Sequence, residues 1–177
     1  MVKHRGMTLV EILLALAIFG IIITAVYSVF GTSMRSYFNI EDDIALQKSA
    51  QEMLNKITDD ISTTKTIVEA TVSTFTFVNA KGESVRYEIS GDKILRNGGQ
   101  LNPEKIGVIN LEFNYFGNAA FLDENKDGVV DMNELDRNQD GELTDTELTD
   151  ISLVRIKMKL KKKNQQMELS SSVKLWK

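Results

Sequence analysis

The strongest chemical pattern in the chain is an acidic segment at residues 123–150 of a 177-residue sequence. Residues 123–134 (DENKDGVVDMNE) match the calcium-loop pattern D-x-[DN]-x-[DN]-G-x5-E at every fixed position. Residues 136–147 (DRNQDGELTDTE) match it again, 13 residues later. Calcium takes about six to eight oxygen ligands, and a short loop with oxygen-bearing side chains at alternate positions supplies them. The sequence therefore predicts two calcium sites.

The predicted ligands occupy the same six positions in each loop, and a bidentate glutamate closes each set. They are Asp123, Asn125, Asp127, the Val129 carbonyl, Asp131 and Glu134 in the first loop, and Asp136, Asn138, Asp140, the Glu142 carbonyl, Thr144 and Glu147 in the second. Without an ion these carboxylates repel one another, so we expect calcium to play a structural role and to hold the segment between two strands. The alternative is a solvated acidic loop that binds no metal.

The two loops lie too close together to form a pair of EF-hands. An EF-hand needs a helix on each side of its loop, whereas only Leu135 separates the first loop from the second. The spacing leaves room for a one-turn helix at 132–135 and another at 145–148. We therefore predict EF-hand-like loops without the EF-hand fold, which resemble the tandem aspartate-rich calcium repeats of extracellular proteins.

A second pattern lies at the N-terminus, where a short basic stretch precedes a long apolar run. Residues 1–6 (MVKHRG) include Lys3 and Arg5, and residues 7–30 contain a single charge, Glu11. A helix over the apolar run is about 36 Å long and can cross a hydrocarbon core of about 30 Å. The basic stretch stays on the cytoplasmic side, so the rest of the chain lies outside that membrane.

Two ordinary explanations do not account for this apolar run. A secretory signal peptide has a shorter apolar region followed by a small-residue cleavage site, and no such site follows here. A plain membrane anchor has the right length but does not explain Glu11. A carboxylate inside a membrane helix costs a few kcal/mol, so it indicates a function and a partner.

The order of residues at this end resembles the type III signal of type IV prepilins and of the pseudopilins of type II secretion systems. The signal has a basic leader, Gly6, an apolar residue at Met7 (where phenylalanine is usual) and Glu11 at the fifth position after Gly6. The resemblance implies that prepilin peptidase cleaves after Gly6 and methylates the new amino group of Met7. It also implies that Glu11 pairs with the N-terminal amine of a neighbouring subunit, which neutralises both charges in a low-dielectric environment.

Beyond the apolar run, the pattern predicts a long helix followed by strands. Apolar residues recur at helical spacing at Ile40, Ile44, Ala50, Leu54, Ile57 and Ile61, so we expect one helix from about Thr8 to about Ile61 whose second half packs on a sheet. Alternating polar and apolar residues predict six antiparallel strands at 72–78, 84–89, 93–96, 106–116, 151–160 and 166–175. The aromatic residues among them, such as Phe75 and Phe113, are expected in the core.

These elements define an α+β protein in which a long N-terminal helix packs on an antiparallel sheet. Its predicted parts are a leader at 1–6, a transmembrane or filament-core helix at 7–30, an amphipathic continuation at 31–65 and a β domain at 66–177 with calcium loops at 123–147. The strand order resembles that of the larger minor pseudopilins and PilW-like minor pilins. The cluster KMKLKKK at 157–163 is expected to be a strand with a lysine-rich solvent face.

We therefore expect a minor pilin or pseudopilin stabilised by calcium. Before assembly it would cross the inner (cytoplasmic) membrane once, with inner-membrane lipid, prepilin peptidase and other pilin or pseudopilin subunits as partners. Afterwards it would lie in a periplasmic or cell-surface filament. The alternative is a membrane-anchored calcium-binding adhesin or sensor that never enters a filament.

Composition argues against two other classes of protein. The chain has no cysteine and its one histidine, His4, lies in the predicted leader, so an enzyme is not expected. Net charge is -4, and removing Lys3 and Arg5 with the leader makes it -6. No basic face dominates the sequence, so no nucleic acid is predicted as a partner.

Overall fold

The computed structural model describes residues 8–118, 122–137, 143–163 and 165–176. In this part of the chain, a 54-residue helix is followed by eight strands and two one-turn helices. The elements are α1 Leu9–Ser62, β1 Thr64–Ala70, β2 Thr74–Asn79, β3 Ser84–Ser90, β4 Lys93–Arg96, β5 Gly99–Gln100, β6 Gly107–Gly117, α2 Met132–Leu135, α3 Asp145–Leu148, β7 Ile151–Lys162 and β8 Gln165–Lys174. The α+β class is therefore confirmed, as are both one-turn helices.

The strands form two antiparallel sheets instead of the single sheet that the sequence predicted. One sheet has the order β1-β2-β3-β4-β5, and the other has the order β6-β7-β8. The sequence prediction missed β1 because TKTIVEA follows the helix directly, separated from it only by Thr63. It also missed the two-residue β5, which pairs with β4 across a tight turn where Asn97 and Gly98 both have positive φ.

Aromatic side chains join the two sheets, as the sequence predicted for the core. Phe75, from the first sheet, lies 5.8 Å from Phe113 and 5.6 Å from Tyr115, both from the second sheet. All three rings are fully buried. The Tyr115 hydroxyl donates to the Thr71 carbonyl at 2.7 Å, and burial raises the pKa of that hydroxyl well above its usual value. The two sheets therefore share one core.

The chain forms two compact units, residues 1–43 and residues 44–177, and α1 runs through the boundary. In the second unit, α1 packs into the core through Leu46, Ala50, Met53, Leu54, Ile57 and Ile61. Two predicted core positions were wrong, since Ile40 and Ile44 are both more than half exposed. Ile44 precedes Leu46 by two residues, which is about 200° around a helix of 3.6 residues per turn. Leu46 therefore takes the core position.

One carboxylate in α1 ties the helix to the first sheet. Asp60 accepts hydrogen bonds from the Tyr87 hydroxyl at 2.6 Å, Arg96 Nε at 2.7 Å and Lys56 Nζ at 3.1 Å. Burial opposes its ionisation, but these three donors outweigh burial and lower the pKa of Asp60. Asp60 is therefore charged and fully partnered at neutral pH.

Candidate functional site

At the N-terminal end, the described residues include Glu11 but not Gly6 or Met7, which lie outside them. Glu11 is in the first turn of α1 and its carboxylate Oε2 accepts from the Thr8 amide at 2.8 Å and from the Thr8 hydroxyl at 3.0 Å. The Glu11 amide donates to Thr8 Oγ1 at 3.3 Å. This is a reciprocal capping box, in which residues three apart satisfy the first amides of a helix. Thr8 was missed as a cap, although the T-x-x-E spacing signals it.

The helix that begins there is long and apolar enough to cross a membrane. The candidate span is Leu9–Met34, with 26 residues and a mean hydropathy of 2.8, and none of it is buried within the protein. Its length is about 39 Å at 1.5 Å per residue. Since so much apolar surface is unfavourable in water, this segment needs lipid or other subunits around it.

In the first acidic loop, side-chain oxygens accept hydrogen bonds from backbone amides of the same loop. Asp123 accepts from Asp127 at 3.2 Å and, through its other oxygen, from Gly128 at 2.9 Å. Asn125 Oδ1 accepts from the Asp127 amide at 2.8 Å. Glu134, at the last loop position, accepts from the Glu124 amide at 3.0 Å through Oε1. The first and last predicted ligands therefore both turn into the same loop.

The second acidic loop repeats the arrangement of its last residue. Glu147 Oε1 accepts from the Arg137 amide at 2.8 Å, and Glu147 Oε2 accepts from the Thr144 amide at 2.7 Å. In the first loop, Glu134 accepts from the amides of the two equivalent residues, 13 positions earlier, Glu124 and Asp131. The hydrogen bond from the Thr144 amide is the main cause that lowers the pKa of Glu147. Of the other predicted ligands, Asn138, Asp140 and Glu142 lie outside the described residues.

Buried apolar residues fix both loops to the core. Val130 and Leu143 stand at the eighth position of their loops, and Leu135 and Leu148 directly follow the closing glutamates; all four are buried. The Gly117 amide donates to the Val130 carbonyl at 2.9 Å, so the first loop also joins the end of β6. Sequence reasoning missed these anchors, although their repeat at a spacing of 13 residues was visible.

The donor set suits calcium, but the ligand side chains that the structure describes are not gathered around one point. Nowhere in the described residues do three or more acidic or histidine side chains form a group that could hold a metal ion. In the first loop, Asp123 and Glu134 are held by amides, and Asp131 caps α2 by accepting from the Asn133 amide at 2.9 Å. Each carboxylate oxygen has a second lone pair for an ion. The calcium sites therefore stay a prediction.

Comparison with known proteins identifies the N-terminal segment. Residues 1–27 match the family model described as the prokaryotic N-terminal methylation motif. No curated protein and no solved structure matches the chain. The match covers Gly6, Met7 and Glu11, the three residues predicted for processing and assembly.

The motif is a processing signal of the prepilin type, and the described chain adds one long helix, apolar in its first half, followed by antiparallel sheets. The motif is that of the type IV pilin and pseudopilin class, whose members are processed at it. The motif implies prepilin peptidase and other pilins as partners, and the apolar helix is consistent with an inner-membrane anchor before assembly. Proteins of this class are non-enzymatic structural subunits, in agreement with the sequence prediction.

Proposed function

We propose that the chain is a minor pilin or pseudopilin, of the PilW-like or larger minor pseudopilin type, whose acidic segment is stabilised by two calcium ions. The observation that carries the calcium proposal is the repeated arrangement of Glu134 and Glu147. Each accepts amide hydrogen bonds from the second and ninth positions of its own loop. A glutamate held at the end of a loop is placed to close a bidentate set around an ion.

The ligands in the described chain would be Asp123, Asn125, Asp127, Val129, Asp131 and Glu134 in the first loop, and Asp136, Thr144 and Glu147 in the second. Calcium would offset the repulsion among these carboxylates and keep the segment ordered between β6 and β7. Extracellular calcium modules bind at about 10⁻⁴–10⁻³ M. At ~1 mM calcium, a site with a Kd of ~10⁻⁴ M would stabilise the folded chain by about 1.4 kcal/mol.

The calcium proposal competes with a purely structural role for the same residues, because Asp131 and Glu134 form a capping box at α2. Glu134→Gln separates the two explanations. Glutamine also serves in a capping box, but it cannot provide a bidentate carboxylate. The matched control is Glu124→Gln, an exposed acidic residue of the same loop that is not a predicted ligand.

The experiment is thermal unfolding of the full chain in detergent, with and without millimolar calcium. We expect calcium to raise the Tm of the wild type and of Glu124→Gln by about 3–6 °C. Glu134→Gln should have an unchanged Tm without calcium and a smaller rise with it. An equal rise in the wild type and both variants would rule out Glu134 as a ligand. No rise in any of the three proteins would rule out the calcium proposal.

A second candidate function is a membrane-anchored calcium-binding adhesin or sensor that is not assembled. Processing and assembly distinguish the two, because a filament subunit carries N-methylated Met7 and is found in the sheared filament fraction. Mass spectrometry that finds the intact leader beginning at Met1 would favour the anchored adhesin or sensor.

A further inference from the structure

The solvent face of the β6-β7-β8 sheet carries a row of cations. Arg155, Lys157, Lys159 and Lys161 alternate along β7 with the buried residues Ile156, Met158 and Leu160. The lysine-rich solvent face that the sequence predicted is therefore confirmed. We call this row the basic row.

The neighbouring strands do not neutralise the basic row. Across it, β6 and β8 present two carboxylates, Glu112 beside Lys157 and Glu168 beside Lys159, among asparagine, serine and glutamine. A third carboxylate, Asp92 in the β3–β4 turn, lies beside Gly107 next to Lys161. Four cations against three carboxylates leave a net charge of +1 in a chain whose total is -4. None of the four cations forms an ion pair in the described part of the chain, although Arg155 lies over Phe116 at 4.8 Å.

The opposite charge lies at the other end of the same sheet. The acidic segment connects the end of β6 to the start of β7, so it begins beside Gly117 and Ile151. Lys161 is ten residues further along β7, about 33 Å away at roughly 3.3 Å per residue. Within residues 123–137, six carboxylates face two cations, Lys126 and Arg137, which gives a net charge of -4. Lys159 and Lys161, eight and ten residues from Ile151, are therefore too far away to pair with the acidic segment within one chain, whereas Arg155 is only four residues away.

We propose that the basic row binds the first acidic loop of a second copy of this chain. The contact joins two different surfaces, so it is head-to-tail, and contacts of this kind build open helical filaments. Charge complementarity selects it, because a mature chain of net charge -6 repels its copies in most other orientations. One bound calcium ion would leave the loop at -2, still opposite in sign to the basic row.

The inference rests on the proposed filament role and adds to it that copies of the chain lie next to one another. The exposed carboxylates Glu124 and Asp127 are available at the acidic end. Glu124 is the better probe, since it is not a predicted calcium ligand and its replacement leaves the proposed ion site intact.

The test uses the full chain in assembled filaments and exploits the absence of cysteine from the sequence. Copies carrying Glu124→Cys are co-expressed with copies carrying Lys161→Cys and treated with a short thiol-specific crosslinker. The control pairs Glu124→Cys with Lys81→Cys, an exposed lysine in the β2–β3 turn. We expect a dimer of the two chains from the first pair and roughly tenfold less from the control. Adding Lys157→Glu to the Lys161→Cys copy should reduce the dimer, and high salt should do the same.

Presence of each variant in the sheared filament fraction is measured on the same samples. If the chain is absent from filaments, the proposed function fails, whereas filaments without the specific dimer overturn the head-to-tail contact alone. Two other results also overturn the head-to-tail contact. One is crosslinking of Lys161→Cys to a different subunit. The other is no crosslink to any protein while Lys157→Glu weakens retention on an anionic polymer column.

Discussion

The two halves of α1 are one continuous helix but bury very different surfaces. Residues 9–34 have no burial within the protein, although they include most of the large aliphatic side chains of the helix. The half from Leu46 to Ile61 places one apolar stripe in the core and leaves its polar side exposed. An α-helix that is apolar all round requires a nonaqueous environment, whereas one with a single stripe is satisfied by its own domain. The first half therefore needs lipid or other subunits around it, whereas the second is satisfied by its own domain.

The largest effect should come from the charge in the first half. Glu11→Ala should abolish incorporation into filaments, because the N-terminal amine of a neighbour would lose its partner in a low-dielectric environment. The Tm of the globular unit should not change. The sheared filament fraction measures incorporation, and Glu41→Ala, in the same helix, is the control expected to assemble normally. Normal assembly of Glu11→Ala would show that this half requires only apolar contact.

A change in the second half should give the opposite result. Ile57→Ala removes a fully buried side chain and should lower the free energy of unfolding by about 2–5 kcal/mol. Ile44→Ala, at an exposed position of the same helix, should change it by less than about 0.5 kcal/mol. Urea unfolding of the full chain in detergent measures both. Equal effects would mean that the helical stripe is not what anchors α1 to the sheets.

A smaller effect is expected at the polar anchor of the second half. Asp60→Asn removes the charge that holds Tyr87 and Arg96. It should lower the free energy of unfolding by about 1–3 kcal/mol, because hydrogen bonds to charged groups are stronger than those between neutral groups. Asp59→Asn, at the exposed position beside it, should have almost no effect. If both variants unfold at the same urea concentration, the Asp60 cluster adds no net stability.

The smallest effect is the pH dependence that Asp60 contributes. Its pKa is lowered in the folded chain, so near pH 3.8 the unfolded chain binds more protons than the folded one. The stabilisation is complete above the unfolded pKa and is lost as pH falls through the lower folded pKa. The free energy of unfolding of Asp60→Asn should therefore vary less with pH than that of the wild type between about pH 5 and pH 2. Parallel curves for wild type and variant would assign the acid sensitivity to other carboxylates.

The acidic segment shows how far a local pattern can predict a site. The D-x-[DN]-x-[DN]-G spacing located the turn at Gly128, whose φ is +83°, and left room for both one-turn helices. It could not show that Asp123 and Glu134 accept backbone amides, because those contacts depend on how the loop closes. Nor did it show which apolar residues anchor the segment, since Val130 and Leu135 are buried only once β6 and β7 are paired.

The sequence by itself determined the features that have a local cause. The methylation motif, the apolar run and the strand alternation each depend on residues within about one element, and so does the length of α1. Tertiary structure decided the rest: the division into two sheets, the burial of Leu46 in place of Ile44, and the hydrogen bonds from Tyr87 and Arg96 to Asp60. It also placed the basic row on the sheet whose end the acidic segment joins. These features depend on contacts between residues far apart in the chain, which spacing along the sequence does not specify.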